Sequence, residues 1–469
     1  MMRMLRWMVV LLLLALPWTV VAQQQSAPGA AASEQPAVEE PAMRPVRALR
    51  QIFTAAQPRA TVLASNAGWQ PIYTQQLEAK EGDLLRVIGQ TQLTLDSAPE
   101  VGQQLRLTVN GEAVGTQAIE INTAGGHHLP MLVYGLVLVT SDGPQTVSLE
   151  GSSFHSDGDF PVTVDQQENL SYGNLLVEQY RSYPDLMAAW ADGALLLTDL
   201  HQAPPLSQSV WGQQPYVQEP LASLLMTANQ GDLLRVSAQA VGVGSFGLEQ
   251  FSGVLTADGR AISPYGGQNV DVAIPQAPML IEGVERVVQD GRQFLEHRVY
   301  GAFGHGLTIL PESARFEVAH FGSYGRGLQR FGQEQVALDE IPSGPPVEVY
   351  SMEIELEEGD LLRLTGSLQF GQPQSPYSGV VDCRLQLLVE GPSGSKNSSL
   401  TQKSLTATRS VLPLTGFLTV RAQIPGVYRI ALLASGSSEQ GPVALRLDAS
   451  QSQLQYMQFG QPRQGGPGL

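Results

Sequence analysis

The chemically capable residues of this 469-residue chain are few, and their spacing offers little chemistry. Its histidines are His127, His128, His155, His201, His297, His305 and His320, and none of them falls into an H-x-x-x-H or Cys-His ligand pattern. A zinc site would therefore have to be gathered from distant segments. The adjacent pair His127-His128 suits a strand entry better than a metal. The loop "HSDGDF" sets Asp157 and Asp159 around Gly158 and offers oxygens to calcium, but it lacks the regular alternate ligands of a dedicated calcium loop. No metal or other cofactor is expected. Neither a G-x-S-x-G elbow nor a P-loop occurs. Asn169-Leu-Ser171 and Asn397-Ser-Ser399 read as glycosylation sequons in a eukaryotic host.

The string "GDLLR" occurs three times, at Gly82–Arg86, Gly231–Arg235 and Gly359–Arg363. A Gly-Asp pair precedes the nucleophilic serine of GDS-type esterases, but here the next residue is Leu84, Leu233 or Leu361, which carries no nucleophile. The repeated string is better read as a turn. Gly82, Gly231 and Gly359 supply positive φ, and Asp83, Asp232 and Asp360 can bond their own backbone.

Aromatic residues are the remaining candidates for ligand contact. Trp69 and Tyr73 in "GWQPIY", and Trp211 and Tyr216 in "WGQQPY", stand at equivalent places ahead of the first two repeats. Exposed, they would make stacking platforms for sugar rings; buried, they would seal the end of a sandwich, and the position beside a repeat boundary favours sealing.

The elements that carry these residues are strands. In the third copy Met352–Leu356 alternates, "EEGD" interrupts, and Leu362, Leu364, Leu368 and Phe370 then share one face. The first copy gives Leu85, Val87, Leu93 and Leu95 in the same register, and the second gives Leu234, Val236, Ala238 and Ala240. Arg86, Arg235 and Arg363 fall on the opposite face, pointing either outward or into a domain contact. Further blocks recur in the same order: Pro130–Gly135, Pro278–Gly283 and Pro413–Gly416, then turns at Asp142-Gly143, Asp290-Gly291 and Pro425-Gly426, then a closing alternating strand. The pattern predicts an all-β chain of three tandem antiparallel β-sandwich, jelly-roll-like domains at 46–183, 207–324 and 346–460, with connectors at 184–206 and 325–345. The first connector carries Leu186, Met187, Trp190 and Leu195–Leu197, so it should pack rather than float.

The second half of each repeat, with strands such as "TVSLEGSS", "RIALLASGSS" and "NLLVEQY", resembles the C1q/TNF-like jelly roll at the level of pattern. That resemblance implies sandwiches that meet along a threefold axis in binding or structural roles, and it transfers no functional residue. Three copies in one chain could reproduce that contact as an intramolecular pseudo-trimer, covering the faces that carry Leu84, Ile88, Leu233, Val241 and Leu361.

The address lies at the N-terminus. "MMRMLR" precedes an apolar run of about fifteen residues and a small-residue site at Ala22, the layout of a signal peptide at 1–22. The run is shorter than the ~20 residues a spanning helix needs. Residues 23–45 and 461–469 are too poor in large apolar residues to offset their ordering entropy and are expected to be disordered. Loss of Arg3 and Arg6 would take the formal charge from −17 to −19. A chain so acidic, with lysine only at positions 80, 396 and 403, is not expected to bind nucleic acid. A lone Cys383 in an alternating run reads as a buried apolar residue and rules out an intramolecular disulfide. The sequence thus leads to the expectation of a secreted, periplasmic or cell-surface non-catalytic binding or structural protein, not inserted in a membrane once mature. The alternative is a carbohydrate-binding protein or a non-catalytic accessory of a glycan-degrading system.

Overall fold

A computed structural model describes residues 46–460, apart from several short internal stretches. The expected signal peptide, the 23–45 and 461–469 segments, His127, His155, His305, Asp157, Asp159, Asn169 and Tyr216 lie outside the described residues.

Each repeat contributes eight principal strands. In the first they are β1 (Val46–Ala55), β2 (Gln70–Ala79), β3 (Leu84–Thr94), β4 (Val101–Val109), β5 (Glu112–Asn122), β6 (His128–Leu138), β7 (Gly143–Phe154) and β8 (Asn174–Tyr183). The second has β9 (Leu196–Gln202), β10 (Glu219–Ala228), β11 (Leu233–Gly244), β12 (Glu249–Ala257), β13 (Gly266–Val270), β14 (Gln276–Arg286), β15 (Gly291–Gly301) and β16 (Arg315–Phe321). The third has β17 (Phe331–Gln335), β18 (Val347–Leu356), β19 (Leu361–Gly371), β20 (Val381–Gly391), β21 (Thr401–Leu405), β22 (Val411–Arg421), β23 (Gly426–Ser438) and β24 (Gln453–Phe459).

The pairing is the same three times over and antiparallel throughout. One sheet runs β1-β8-β3-β6 and the other β2-β7-β4-β5; the second repeat runs β9-β16-β11-β14 and β10-β15-β12-β13, and the third β17-β24-β19-β22 and β18-β23-β20-β21. First pairs with eighth, second with seventh, third with sixth and fourth with fifth, as when one long antiparallel ribbon is rolled into two sheets. This is a jelly roll. The alternating residues read from the sequence fill the three cores: Leu85, Val87, Leu93 and Leu95 in the first, Leu234, Val236, Ala238 and Ala240 in the second, and Leu362, Leu364, Leu368 and Phe370 in the third. Cys383 is one of the fully buried residues of the third core.

The structure moves two expected boundaries. Residues 184–206 were expected to be a connector, yet β9 inside them pairs with β16 as a strand of the second sandwich. Likewise β17 and Glu340–Pro342, within the expected connector 325–345, pair with β24 and with Ala444–Leu447. Both strands are short and lack clean alternation, so only their partners identify them. Ahead of β9 a single short helix, α1 (Leu186–Ala191), is capped by Asp185, whose side chain accepts a bond from Ala188 N at 2.8 Å. Leu195 is buried between repeats, and β9 also pairs with β1 through Ala48 with Leu197 and Leu49 with Leu196, joining the sheets of two repeats.

The repeats meet in a ring. Strand β5 of the first repeat contacts β14 of the second, β13 of the second contacts β22 of the third, and β21 of the third contacts β6 of the first. The same fifth-to-sixth contact is used at each step, and the third step returns to the start, which is a heterologous interface that closes.

Candidate functional site: an axial charge cluster and the pocket beyond it

Every letter of the GDLLR string has a separate task. Gly82, Gly231 and Gly359 have φ of 86°, 90° and 86°, a left-handed conformation that costs glycine nothing. Each is the third residue of a four-residue turn closed by Asp83 N to Lys80 O, Asp232 N to Asn229 O and Asp360 N to Glu357 O. The buried aspartates accept bonds from the backbone N–H three residues earlier, at 3.0, 2.8 and 3.0 Å. They also tie the turn to the closing strand, through Gln179 Nε2 at 2.6 Å, His320 Nε2 at 2.7 Å and Gln458 Nε2 at 2.8 Å. The second leucine of each string enters its own sandwich core. The first, Leu84, Leu233 or Leu361, faces the sister repeats, where it packs with Tyr180, Phe321 and Phe459.

Two residues further along, Arg86, Arg235 and Arg363 point the same way and come together, all but completely buried. Of the two placements open to them from sequence, the domain contact is the one observed. Three glutamates meet them. Glu178 accepts both Nη1 and Nη2 of Arg235, at 3.1 and 2.6 Å, and Nη1 of Arg86 at 3.3 Å, while Arg363 Nη1 lies 3.1 Å from it. Glu282 accepts Arg86 Nη2 at 2.7 Å and Arg363 Nη2 at 3.1 Å, with Ser237 and Thr365 hydroxyls donating to it as well. Glu317 takes Arg86 Nε.

The arginines are equivalent by register, but the glutamates are not. Glu178 stands opposite Arg86 on β8, where the sister repeats have Ala319 and Met457. Glu282 on β14 corresponds to Tyr134 and Phe417, which lie under Arg86 and Arg363 with ring centroids 5.2 and 5.7 Å from the guanidinium carbon. Glu317 corresponds to Leu176 and Gln455. Repeat 3 therefore gives an arginine and no acid. The electrostatics follow. Burial works against the Glu178 carboxylate, but Arg235, Arg363 and Arg86 hold it far below the usual carboxylate range, and Glu282 falls to about 2 for the same reason. Glu317, dominated by its burial, is pushed up despite Arg86, and its Oε2 has no partner. Among the arginines, Arg86 is raised by Glu178, Glu317 and Glu282 against the cost of burial, whereas Arg363 is lowered by burial and by Arg235. Ions buried so deeply are strongly destabilising if one loses its partner. The cluster fixes which repeat sits where, since each of its six side chains has at least one partner of opposite type among the other five.

Beyond the cluster lies an apolar layer of Ile88, Tyr134, Leu176 and Phe417, and then a pocket of about 80 Å³. Its walls are the recurrent Pro-containing blocks: Pro130, Pro278 and Pro413 line it, as do Leu132, Leu280 and Thr415. The ring contacts are repeated at this level, with Thr116 Oγ1 donating to Gln239 Oε1 at 2.6 Å and Gln90 Nε2 donating to Thr401 Oγ1 at 2.7 Å. Lys403, also on the lining, forms a buried ion pair with Glu120 of the first repeat at 3.2 Å.

The aromatic candidates separate. Tyr73 is fully buried in the first core and presents no face to a ligand, a correction to its candidacy. The residue lies on β2, whose register shifts between Pro71 and Tyr73 and so turns the ring inward. Trp69 is half-buried, with the Arg106 guanidinium 4.4 Å from its ring centroid. Trp211 ends a short strand, Ser209–Trp211, paired with Leu307–Ile309. No group of three or more potential metal ligands gathers among the described residues, and no helix among them is long and apolar enough to cross a membrane. Sequence reasoning missed Glu178, Glu282 and Glu317; they share their strands with Arg181, with Glu285 and Arg286, and with Arg315, so nothing in the sequence singled them out.

The class defined by this geometry is an all-β protein of three jelly-roll sandwiches. No family model matches the chain, and no curated protein matches it either. Among solved structures it is similar to the tandem CBM22-1–CBM22-2 domain of Paenibacillus barcinonensis Xyn10C, at 11% identity and TM-score 0.17 over 56% of this chain and 98% of that one. A chain of Sulfolobus turreted icosahedral virus aligns at 12% identity and TM-score 0.18, over 84% and 85% of the two chains. A triple jelly-roll protein from the turret assembly of an archaeal virus aligns at 10% identity and TM-score 0.16, over 87% and 91%. At these TM-scores the likenesses carry no weight, and the fold rests on the strand order itself.

Proposed function

We propose that the chain is an exported, non-catalytic binding or structural protein whose three jelly rolls act as an intramolecular pseudo-trimer of the C1q/TNF-like kind. The observation that carries this reading is the meeting of the three GDLLR arginines on one shared set of glutamates. The three arginines that are largest among the fully buried side chains described are committed to holding sister domains together. Ring closure by the same strand contact at each step supports it.

The arrangement also gives the assembly two different ends. The first and last strands, β1 and β24, have Leu49 and Phe459 at the turn end, since Leu49 pairs with Tyr180, Tyr180 with Leu84, and Phe459 with Leu361. The pocket lies at the other end, about 13 Å beyond the arginines along strand β3, from four residues at ~3.3 Å each. Export is proposed from the N-terminal pattern of residues 1–22.

Small-angle scattering on the chain without residues 1–22 tests the pseudo-trimer: a single-peaked, compact pair-distance profile for a monomer is expected, and an elongated one ends the proposal. A pull-down from the envelope of the source organism tests the binding role. Of the two aromatic candidates whose side chains are described, the carbohydrate-directed reading keeps the half-buried Trp69, and a glycan array comparing the parent with Trp69→Ala tests it.

A further inference from the structure

The pocket on the axis holds an unmet chemical demand. Gln90 is 2% exposed and lines the cavity. Its Nε2 is spent on Thr401 Oγ1 at 2.7 Å and on Thr415 O at 3.4 Å, while its Oε1 has no partner. A buried amide oxygen without a donor is a cost the fold would not keep for packing alone. Thr401 itself donates to Thr415 O, so the orientation of the amide is set by the network, with the nitrogen toward the threonine and the oxygen left over.

The remaining lining is divided. Two repeats supply apolar surface through Leu132 and Leu280, while the side chains of Met131 and Met279 turn away into the first and second cores. The third replaces the corresponding leucine by Thr415 and the corresponding glutamine by Ser367, which makes its wall polar. An occupant must therefore have a short aliphatic side and one hydrogen-bond donor. At about 80 Å³ the cavity is roughly half the ~150 Å³ that accepts benzene, and so suits about three or four non-hydrogen atoms. A neutral donor fits better than a cation, because Lys403 lines the same cavity.

We propose that the axial pocket binds a short aliphatic alcohol group, its hydroxyl donating to Gln90 Oε1 and its carbons resting on Leu132 and Leu280. The group is either a free small alcohol or the hydroxyl-bearing end of a longer molecule. This deepens the binding role proposed above and rests on it for its biological meaning, but it is tested separately, since a negative titration leaves the scattering result untouched.

The experiment is a titration of the full chain labelled with ¹³C at its leucine methyls, because Leu132 and Leu280 line the cavity and face the axis. The probes are 2-propanol and acetone, which match in size and differ in that acetone cannot donate. Saturable shifts centred on Leu132 and Leu280, with acetone binding at least tenfold more weakly than 2-propanol, are expected. In Gln90→Leu that ratio should fall to about one. Equal binding of the two probes by the parent, shifts that never saturate, or shifts spread evenly over all leucines would each overturn the proposal, whether or not Gln90→Leu folds. A final arm with 2-octanol separates the two sources: tighter binding than 2-propanol assigns the site to the end of a longer ligand, and weaker or equal binding to a free small alcohol.

Discussion

His297→Leu should remove most of the acid sensitivity that the second sandwich has and its sisters lack. His297 lies on β15 with its ring fully buried and its Nε2 unpartnered. By register it stands where the first and third repeats have Leu149 and Leu432. Diagonally across from it, Gly253, which pairs with Val299, replaces Leu105 and Leu385, and a Cβ there would sit 3.1 Å from His297 Nε2, so the ring occupies space given up by the missing side chain. Burial pushes the imidazole from 6.5 down to about 3. The folded state thus holds it neutral while the unfolded chain takes up a proton below ~6.5, so stability is present at neutral pH and is lost as pH falls from ~6.5 toward 3. At 1.36 kcal/mol per unit, the loss at pH 4.5 is about 3 kcal/mol and at pH 3 on the order of 5. Urea melts of parent and variant at pH 7.5 and 4.5 isolate this group, because the titrating carboxylates are common to both. The parent should lose about 3 kcal/mol more than His297→Leu between the two pH values. An identical loss in both would refute the reasoning and show that the ring finds a proton acceptor or solvent in the native state.

Other expectations follow from the same geometry. Removing one cation from the axis, as in Arg235→Met, strips Glu178 of its two-pronged partner and should cost about 3–5 kcal/mol by chemical denaturation, whereas pairing it with Glu178→Met should recover a large part of that loss. Because Glu178 and Glu282 are depressed in the folded state, their contribution is present above the unfolded carboxylate range near 4.3 and is lost as pH falls toward 2; a parent chain whose unfolding midpoint was unchanged between pH 4.5 and 2.5 would contradict the cluster. Gly231→Val, at φ of 90°, should lower stability by about 1–3 kcal/mol, and a thermal melt that matched the parent would remove the turn assignment.

Alternation and turn chemistry carried the fold into the sequence. A strand with one buried face must repeat every two residues, so the sets beginning at Leu85, Leu234 and Leu362 announced three cores. Glycine before aspartate announced the turns, because positive φ and a self-bonding side chain are local demands that no distant residue can alter. The short strands β9 and β17 carried no such mark, since strands of so few residues take their register from the partner rather than from their own pattern. The function of the arginines was not legible either. Period-two alternation places Arg86, Arg235 and Arg363 on the face away from their own core, and that face reads alike whether water or a sister domain covers it. Only the closing of the ring decided between them, by bringing Glu178, Glu282 and Glu317 to one place from positions that are not equivalent in the repeat. The pocket beyond them exists for the same reason: no one repeat contains it, and its walls are three strand entries that meet only after the chain has folded onto itself three times.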